Sequence, residues 1–347
     1  MNTNIFRYYN ITDRFCIFSE TSIDDSVYRY IHKEYIDFST NDFCNIPLLG
    51  CIRGRKDVLT SSNLKELVKD WLYEDESFLY VKYGNKYLRI FADENRFEIV
   101  YQHDFENNVA FYVLELLVRI YAHKYRLDFF HASSFKYNDK VYMLNGFGGS
   151  GKTEIMIDFL LKGAAFISDD IVIVNECGKI FPYRVSIPVK WNCISEEFTN
   201  QIHTSNYIYR LASYCKTRNG KITKRIYGRL ANKYFLGNYS HSQLTEESLC
   251  LKFYDIDKCI WQQEANFEGT FNISDDKFFQ YMNLCLENES RKYFDFDGFM
   301  KLKFPQLKSF YEEIHRLRRQ ICHQLSPYGL AVKNRDYKLA GKTLLSI

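Results

Sequence analysis

Prolines are scarce in this sequence, with five in 347 residues: Pro47, Pro182, Pro188, Pro305 and Pro327. No proline-rich linker therefore marks a domain boundary. No apolar run approaches the roughly 18–20 residues that a membrane-spanning helix needs. The opening residues, MNTNIFRYYNITDRF, lack a basic stretch followed by an apolar one, so no secretory signal is expected and a cytoplasmic location is the default. Internal repeats and low-complexity tracts are also missing. Charge is nearly balanced, 46 Lys+Arg against 43 Asp+Glu for a net +3, which gives no reason to expect a nucleic acid or a membrane as partner. The ten cysteines are Cys16, Cys44, Cys51, Cys177, Cys193, Cys215, Cys250, Cys259, Cys285 and Cys322, and the nearest two, Cys44 and Cys51, are seven apart. That spacing excludes a C-x-x-C metal knuckle or redox pair, and the ten read as reduced structural thiols.

What is present is ample apolar and aromatic material, 46% and 17% of residues, enough to bury the core of one large domain or two ordinary ones. Residues 63–72 (NLKELVKDWL) space Leu64, Leu67, Val68 and Trp71 as on one helix face, and a helix is expected there. FLYVKY, KYLRIFAD and RFEIVYQH follow, separated by Gly84-Asn85 and Asp93-Glu94-Asn95, the pattern of an antiparallel meander. Val109–Lys124 reads as a helix with an apolar stripe of Ala110, Val113, Leu114, Leu117, Val118 and Tyr121, and with Glu115 and Arg119 paired at i,i+4. Two strands, DFFHASSFKY and KVYMLNG, then turn at Asn138-Asp139.

Residues 146–153 read Gly-Phe-Gly-Gly-Ser-Gly-Lys-Thr, a complete G-x-x-x-x-G-K-[ST] between an apolar strand and an amphipathic helix. A phosphate-binding loop must turn its backbone N–H groups toward anionic oxygens without side chains in the way. Gly146, Gly148, Gly149 and Gly151 keep such a cradle open and permit positive φ, and Ser150 completes it. Lys152 supplies a point charge for the outer phosphates, and the Thr153 hydroxyl suits Mg²⁺. The helix expected over about Thr153–Lys162 aims its positive end at the same anion, and Gly163 stops it. ATP and Mg²⁺ are thus the expected ligands. Asp169-Asp170 follow the apolar strand Ala165–Ser168, where one carboxylate would reach the metal and the other an incoming hydroxyl. The plainer alternative is a solvated turn.

These residues together resemble a known family. The stretch from His131 to Asp170 resembles the catalytic core of the HPr kinase/phosphorylase family and of HPr-kinase-like enzymes in pathways for modified peptides. The shared pattern is a His at a strand end, a hairpin, the loop ending Lys152-Thr153-Glu154, a helix ending Lys162-Gly163, and a strand ending Asp169-Asp170. The resemblance implies a phosphoenolpyruvate-carboxykinase-like P-loop fold. It also implies roles: Lys152 stabilises the transferred phosphoryl group, Thr153 and Asp169 serve the metal, and Asp170 acts as general base. His131 and Glu154 line the site. The match spans about forty residues, and a downstream signature of the HPr kinases, an acidic residue followed by Ile-Arg-Gly, is not found. Arg184, Glu196 and Glu197 are the nearest substitutes. The stretch FPYRVSIPVK makes the peptide-tailoring kinases the better comparison.

Between Arg210 and Phe235 the sequence holds eight Lys/Arg and no acid, with Asn219-Gly220 as a hairpin tip. Arg218, Lys221, Lys224 and Arg225 are candidates to contact an acidic substrate or nucleotide phosphates; a plain soluble loop is the alternative. Phe294-Asp295-Phe296-Asp297-Gly298 looks like the start of a calcium loop but lacks its Glu, so a turn is expected. A C-terminal helix is expected over Pro305–Leu325, with Leu307, Phe310, Ile314, Leu317, Ile321 and Leu325 inward and Arg316, Arg318 and Arg319 near its negative end.

The expected architecture is α/β, α+β overall: a mostly antiparallel β region over 1–105 and an HPr-kinase-like P-loop domain over 106–347 with a helical elaboration. The expected activity is transfer of the γ-phosphoryl group of ATP to a hydroxyl, foremost Ser/Thr of a peptide or small protein, with self-association left open. A small-metabolite kinase of the same fold, a nucleotide-gated binding protein and a carboxykinase-type enzyme are the alternatives.

Overall fold

The computed structural model describes residues 4–35, 38–40, 46–58, 60, 63–183, 185, 187–190, 208–218, 221–230, 252–290, 296–333 and 337–346. Among them the chain is a mixed α/β protein with four sheets and seven α-helices. No described helix is long and apolar enough to cross a membrane. The chain divides into two compact units, residues 1–128 with 288–318 and residues 129–287 with 319–347. The sequence boundary at residue 105 falls inside the first.

The first unit is built on a nine-stranded sheet of β1 (Asn4–Tyr9), β2 (Cys16–Ser22), β3 (Ser39–Thr40), β4 (Leu48–Arg55), β5 (Lys65–Val68), β6 (Leu72–Glu74), β7 (Leu79–Tyr83), β8 (Lys86–Ala92) and β9 (Phe97–Gln102), in the order β3-β1-β2-β4-β9-β8-β7-β6-β5. Two neighbouring pairs, β2–β4 and β4–β9, are parallel. The meander β7-β8-β9 is antiparallel as expected, and the Asp93 carboxylate closes its second turn by accepting the N–H groups of Asn95 and Arg96 at 2.7 and 2.9 Å. Helix α1 (Ser26–Glu34) is capped by Asp25, whose carboxylate accepts the Tyr28 N–H at 2.9 Å. Helix α2 (Asn107–Ala122) buries the expected stripe and packs on β4, β9 and α1. Glu115 and Arg119 approach to 3.9 Å.

The helix expected over 63–72 is instead the edge hairpin β5–β6. Asp70 adopts a left-handed φ of 57°, and the Glu66 carboxylate accepts the Asp70 N–H at 2.8 Å and the Tyr73 hydroxyl at 3.0 Å. Leu72 pairs with Val81 of β7, so the segment extends an existing ladder without the cost of nucleating a helix. The turn expected over 294–298 is also corrected. Helix α5 (Phe296–Lys303) starts at Phe296 and has Asp297 in its first turn; Phe294 and Asp295 lie outside the described residues.

The second unit holds a six-stranded sheet in the order β13-β11-β12-β19-β21-β20. Its strands are β11 (Ala132–Tyr137), β12 (Lys140–Gly146), β13 (Ala165–Ser168), β19 (Lys258–Ala265), β20 (Gly269–Asn272) and β21 (Tyr328–Lys333). β12, β19 and β21 run parallel, while β11 is antiparallel to both β12 and β13. Asn138 and Asp139, at φ 49° and 60°, make the expected tight turn between β11 and β12. Helices α3 (Lys152–Leu161) and α7 (Tyr337–Ser346) pack against each other, and with the sheet they enclose a core that includes Phe135, Tyr142, Leu144, Phe159, Ile260 and Leu330. Helix α4 (Asp275–Ser290) follows β20. Helix α6 (Leu307–Leu325) begins after Pro305, and its Arg318 is buried against Asp128 with two contacts of 2.8 and 2.9 Å.

The stretch DFFHASSFKY, read from sequence as one strand, is broken, and a second break falls at the aspartate pair. His131 separates β10 (Leu127–Phe130) from β11, and Asp169–Ile171 separate β13 from β14 (Val172–Asn175). β10 and β14 belong to another sheet, β10-β14-β15, with β15 at Ile180–Phe181. The fourth sheet, β16-β18-β17, joins β16 (Ile187–Lys190), β17 (Ile208–Arg218) and β18 (Lys221–Leu230). Arg218 pairs with Lys221; the tip Asn219-Gly220 lies outside the described residues.

Candidate functional site

The two strand breaks and the glycine loop meet at one end of the six-stranded sheet. Ala132 pairs with Asn145 and Ser134 with Ser168. His131, Gly146 and Asp169 each stand just beyond or at those pairs, so register alone brings three separated sequence features to one edge. That is where the chemistry gathers.

The loop turns through Gly149 and Gly151, at φ 83° and 94°. A Cβ on Gly146 would stand 2.5 Å from the Gln262 carbonyl oxygen, so close approach of β19 excludes a side chain there. Gly148, unlike the other three glycines of the motif, does not take a positive φ. Open space surrounds the place of its missing Cβ. Gly151 caps α3, whose first residue is Lys152 rather than Thr153. The Ser150 N–H donates to the Phe147 carbonyl at 3.1 Å. The buried Lys152 ammonium donates to the carbonyls of Gly146 and Phe147 at 2.8 and 3.3 Å.

Beneath the loop, the Thr153 hydroxyl lies 3.1 and 3.2 Å from the two oxygens of Asp169 and donates to that carboxylate. Ser133 on β11 donates a second hydroxyl to Asp169 Oδ1. Asp169 is fully buried, and desolvation, reinforced by the charge of Asp170, pushes its carboxyl up to about 7, against the pull of the Ser133 and Thr153 hydrogen bonds. Asp170 adopts a left-handed φ of 66° and carries a side chain 42% exposed. Its Oδ1 stands 3.4 Å from His131 Nε2. Adjacent carboxylates thus have opposite environments: one dry and bonded to hydroxyls, the other open to solvent and beside an imidazole. Glu154 is half-buried in the first turn of α3.

Sequence reasoning missed the residues that hold the loop from behind. Gln262, fully buried on β19, donates its side-chain amide to the Ser150 carbonyl, and Cys285 Sγ lies 3.7 Å from the Gly146 carbonyl. The Phe147 ring meets Trp261 edge-on at 5.0 Å and Tyr281 at 5.7 Å, and Trp261 stacks on Tyr281 at 4.7 Å. Ser133 was equally hidden. No spacing links these positions to the motif; Gln262 is brought to it by the parallel pairing with Gly146 and Ser133 by the antiparallel pairing of β11 with β12.

Arg184, Glu196 and Glu197 lie outside the described residues. Arg218, Lys221, Lys224 and Arg225 belong to the separate sheet β16-β18-β17. Among the described residues, six cysteines (Cys16, Cys51, Cys177, Cys259, Cys285 and Cys322) are free thiols.

The donor set fits a magnesium ion held in company with phosphate. Thr153 and Asp169 offer hard oxygen ligands already within hydrogen-bonding distance of each other. No group of three or more His, Cys, Asp or Glu side chains among the described residues forms a metal cage by itself. Mg²⁺ ordinarily takes one or two carboxylates and completes its shell with water and substrate phosphate. Chemically, the edge combines an anion-attracting helix start, a lysine, a hydroxyl–carboxylate pair and an accessible carboxylate able to accept a proton. No protein-family model matches the chain, and no curated protein matches it.

Proposed function

We propose that the chain is an ATP- and Mg²⁺-dependent phosphotransferase of HPr-kinase-like type, which moves the γ-phosphoryl group to a hydroxyl of a peptide or small protein. The carrying observation is the contact of Thr153 with both oxygens of Asp169, since it joins the glycine loop to the carboxylate pair. The support for the fold type is the order of elements: a His at a strand break, a hairpin, the loop, a helix ending before Gly163, and a strand ending in two aspartates.

On this reading the N–H groups of Gly146, Gly148, Gly149 and Gly151 cradle the phosphates, and Ser150 joins them by giving up its bond to the Phe147 carbonyl. Lys152 exchanges its two loop carbonyls for oxygens of the transferred group. Thr153 and Asp169 hold the metal, whose chemistry when bound is to neutralise charge on the phosphate oxygens. Asp170 takes the acceptor's proton as the acceptor oxygen bonds to the γ-phosphorus and the bond to the bridging oxygen breaks, leaving ADP. His131 orients Asp170 from 3.4 Å. A serine-type hydroxyl is a weak nucleophile at neutral pH, which is why a positioned carboxylate is needed.

The test follows γ-labelled heavy-oxygen ATP into cell extract by mass spectrometry. Asp170→Asn is expected to lower transfer by at least ~100-fold while leaving ATP affinity nearly unchanged; Lys152→Ala is expected to reduce both. Full transfer by the Asp170 variant overturns the base assignment. Hydrolysis without any labelled acceptor replaces the kinase with a nucleotide-gated binding protein.

A further inference from the structure

Three aromatic rings gather beside the glycine loop, and phosphoryl transfer as proposed above uses none of them. Phe147 is the second residue of the loop motif, Trp261 lies on β19 and Tyr281 on α4. Each ring touches the other two, with centroids 4.7, 5.0 and 5.7 Å apart. Perpendicular and offset contacts of this kind are favoured between aromatic side chains and fix how the rings are turned.

Exposure separates the three. Trp261 is fully buried, and the half-buried Tyr281 has the Lys277 ammonium 5.6 Å from its ring centre. Phe147 alone is exposed, at 36%. Leaving part of an aromatic ring in water costs free energy, so its presence there asks for a reason. The turn itself supplies none. It is closed by Gly149 and Gly151 and by a backbone bond to the Phe147 carbonyl, neither of which needs a ring at 147. Gly148 comes next, with nothing within 4 Å of where its Cβ would be, so the loop leaves the ring uncrowded on that side.

Strand order tells which part of a nucleotide would reach this ring. Along the sheet run β13, β11, β12 and β19 in turn. Asp169 and Asp170 follow β13, His131 precedes β11, the loop follows β12, and Trp261 stands on β19 beside the residue paired with Gly146. The carboxylates and the rings are therefore on opposite sides of the loop, on strands three spacings apart, about 14 Å. A triphosphate whose terminal phosphorus faces Asp170 points its nucleoside the other way, toward β19. An acceptor side chain arrives from the Asp170 side and would meet the ring only across the phosphates.

We infer that Phe147, braced by Trp261 and Tyr281, is a platform on which the base of the bound nucleotide stacks. Every base offers a flat π-face, and exposed aromatic side chains hold bases through it. Base stacking here rests on the phosphate site proposed above and adds to it a preference for a nucleoside triphosphate over bare phosphate.

Calorimetric titration of the full chain with Mg-ATP and with Mg-tripolyphosphate, which carries the phosphates without a base, tests it. Wild type is expected to bind both. Phe147→Ala is expected to weaken ATP about tenfold and tripolyphosphate less than about twofold, whereas Phe147→Tyr, which keeps the ring, stays within about twofold of wild type for ATP. Equal losses of the two ligands in Phe147→Ala overturn the platform, because the ring then acts only by shaping the loop. Unchanged ATP affinity in that variant overturns it too, as does a loss in Phe147→Tyr as large as in Phe147→Ala. Failure of wild type to bind either ligand is a separate result: it removes the phosphate site itself, and the platform falls with it.

Discussion

Burial and hydrogen bonding pull the Asp169 carboxyl in opposite directions. Desolvation and the neighbouring Asp170 favour the proton, while the Ser133 and Thr153 hydroxyls favour the anion, and the balance leaves it near pH 7. The native state therefore holds this proton more tightly than the unfolded chain, where the ordinary value is 3.8. The stability it contributes is complete below that value and is lost as pH rises through about 7. In protein free of metal and nucleotide, Asp169→Asn is accordingly expected to raise the melting temperature at pH 8, by the equivalent of a few kcal/mol, and by less than about half as much at pH 5. Thermal unfolding across that pH range checks it; a variant less stable at pH 8 than at pH 5, relative to wild type, sinks the argument. Sequence showed that two carboxylates adjoin but not which would be buried. That distinction needs Ser133, on a strand the sequence reading ran straight through His131.

At the scale of elements, strong periodicity and local stop signals were legible. The stripe of α2 and the end of α3 both stand as read. Gly163, at φ 93°, ends α3: its N–H donates to Leu160 and the Ala164 N–H to Phe159, at 3.1 and 3.0 Å. Nothing lies within 4 Å of where a Cβ would be, so Gly163→Ala meets no clash and is charged only the backbone strain. Urea unfolding is expected to show a loss of ~1–2 kcal/mol, smaller for Gly163→Asn. No loss on Gly163→Ala would mean that the left-handed cap is not held. The hairpin β5–β6 shows the opposite case. Its helical spacing is real, but helix and strand patterns overlap in short apolar runs, and the neighbouring ladder at Val81 decides between them.

Across the whole molecule, the proposed ligand should act as a stabiliser of the native state. Mg-ATP at about 100 times its dissociation constant is expected to add ~2.7 kcal/mol, read as a rise in melting temperature, and Lys152→Ala should remove that rise. An unshifted transition at saturating Mg-ATP argues against nucleotide binding altogether. By itself the sequence determined the glycine loop, the helix behind it, the turns at Asn138-Asp139 and Gly163, and a charge-rich hairpin, because each is encoded by residues a few positions apart. Tertiary structure alone decided that Ser133 meets Asp169, that Gln262 and Trp261 back the loop, and that Arg318 is buried on Asp128. Those relations depend on how strands and helices are ordered and packed, which joins residues from 36 to 190 positions apart and leaves no local pattern to read.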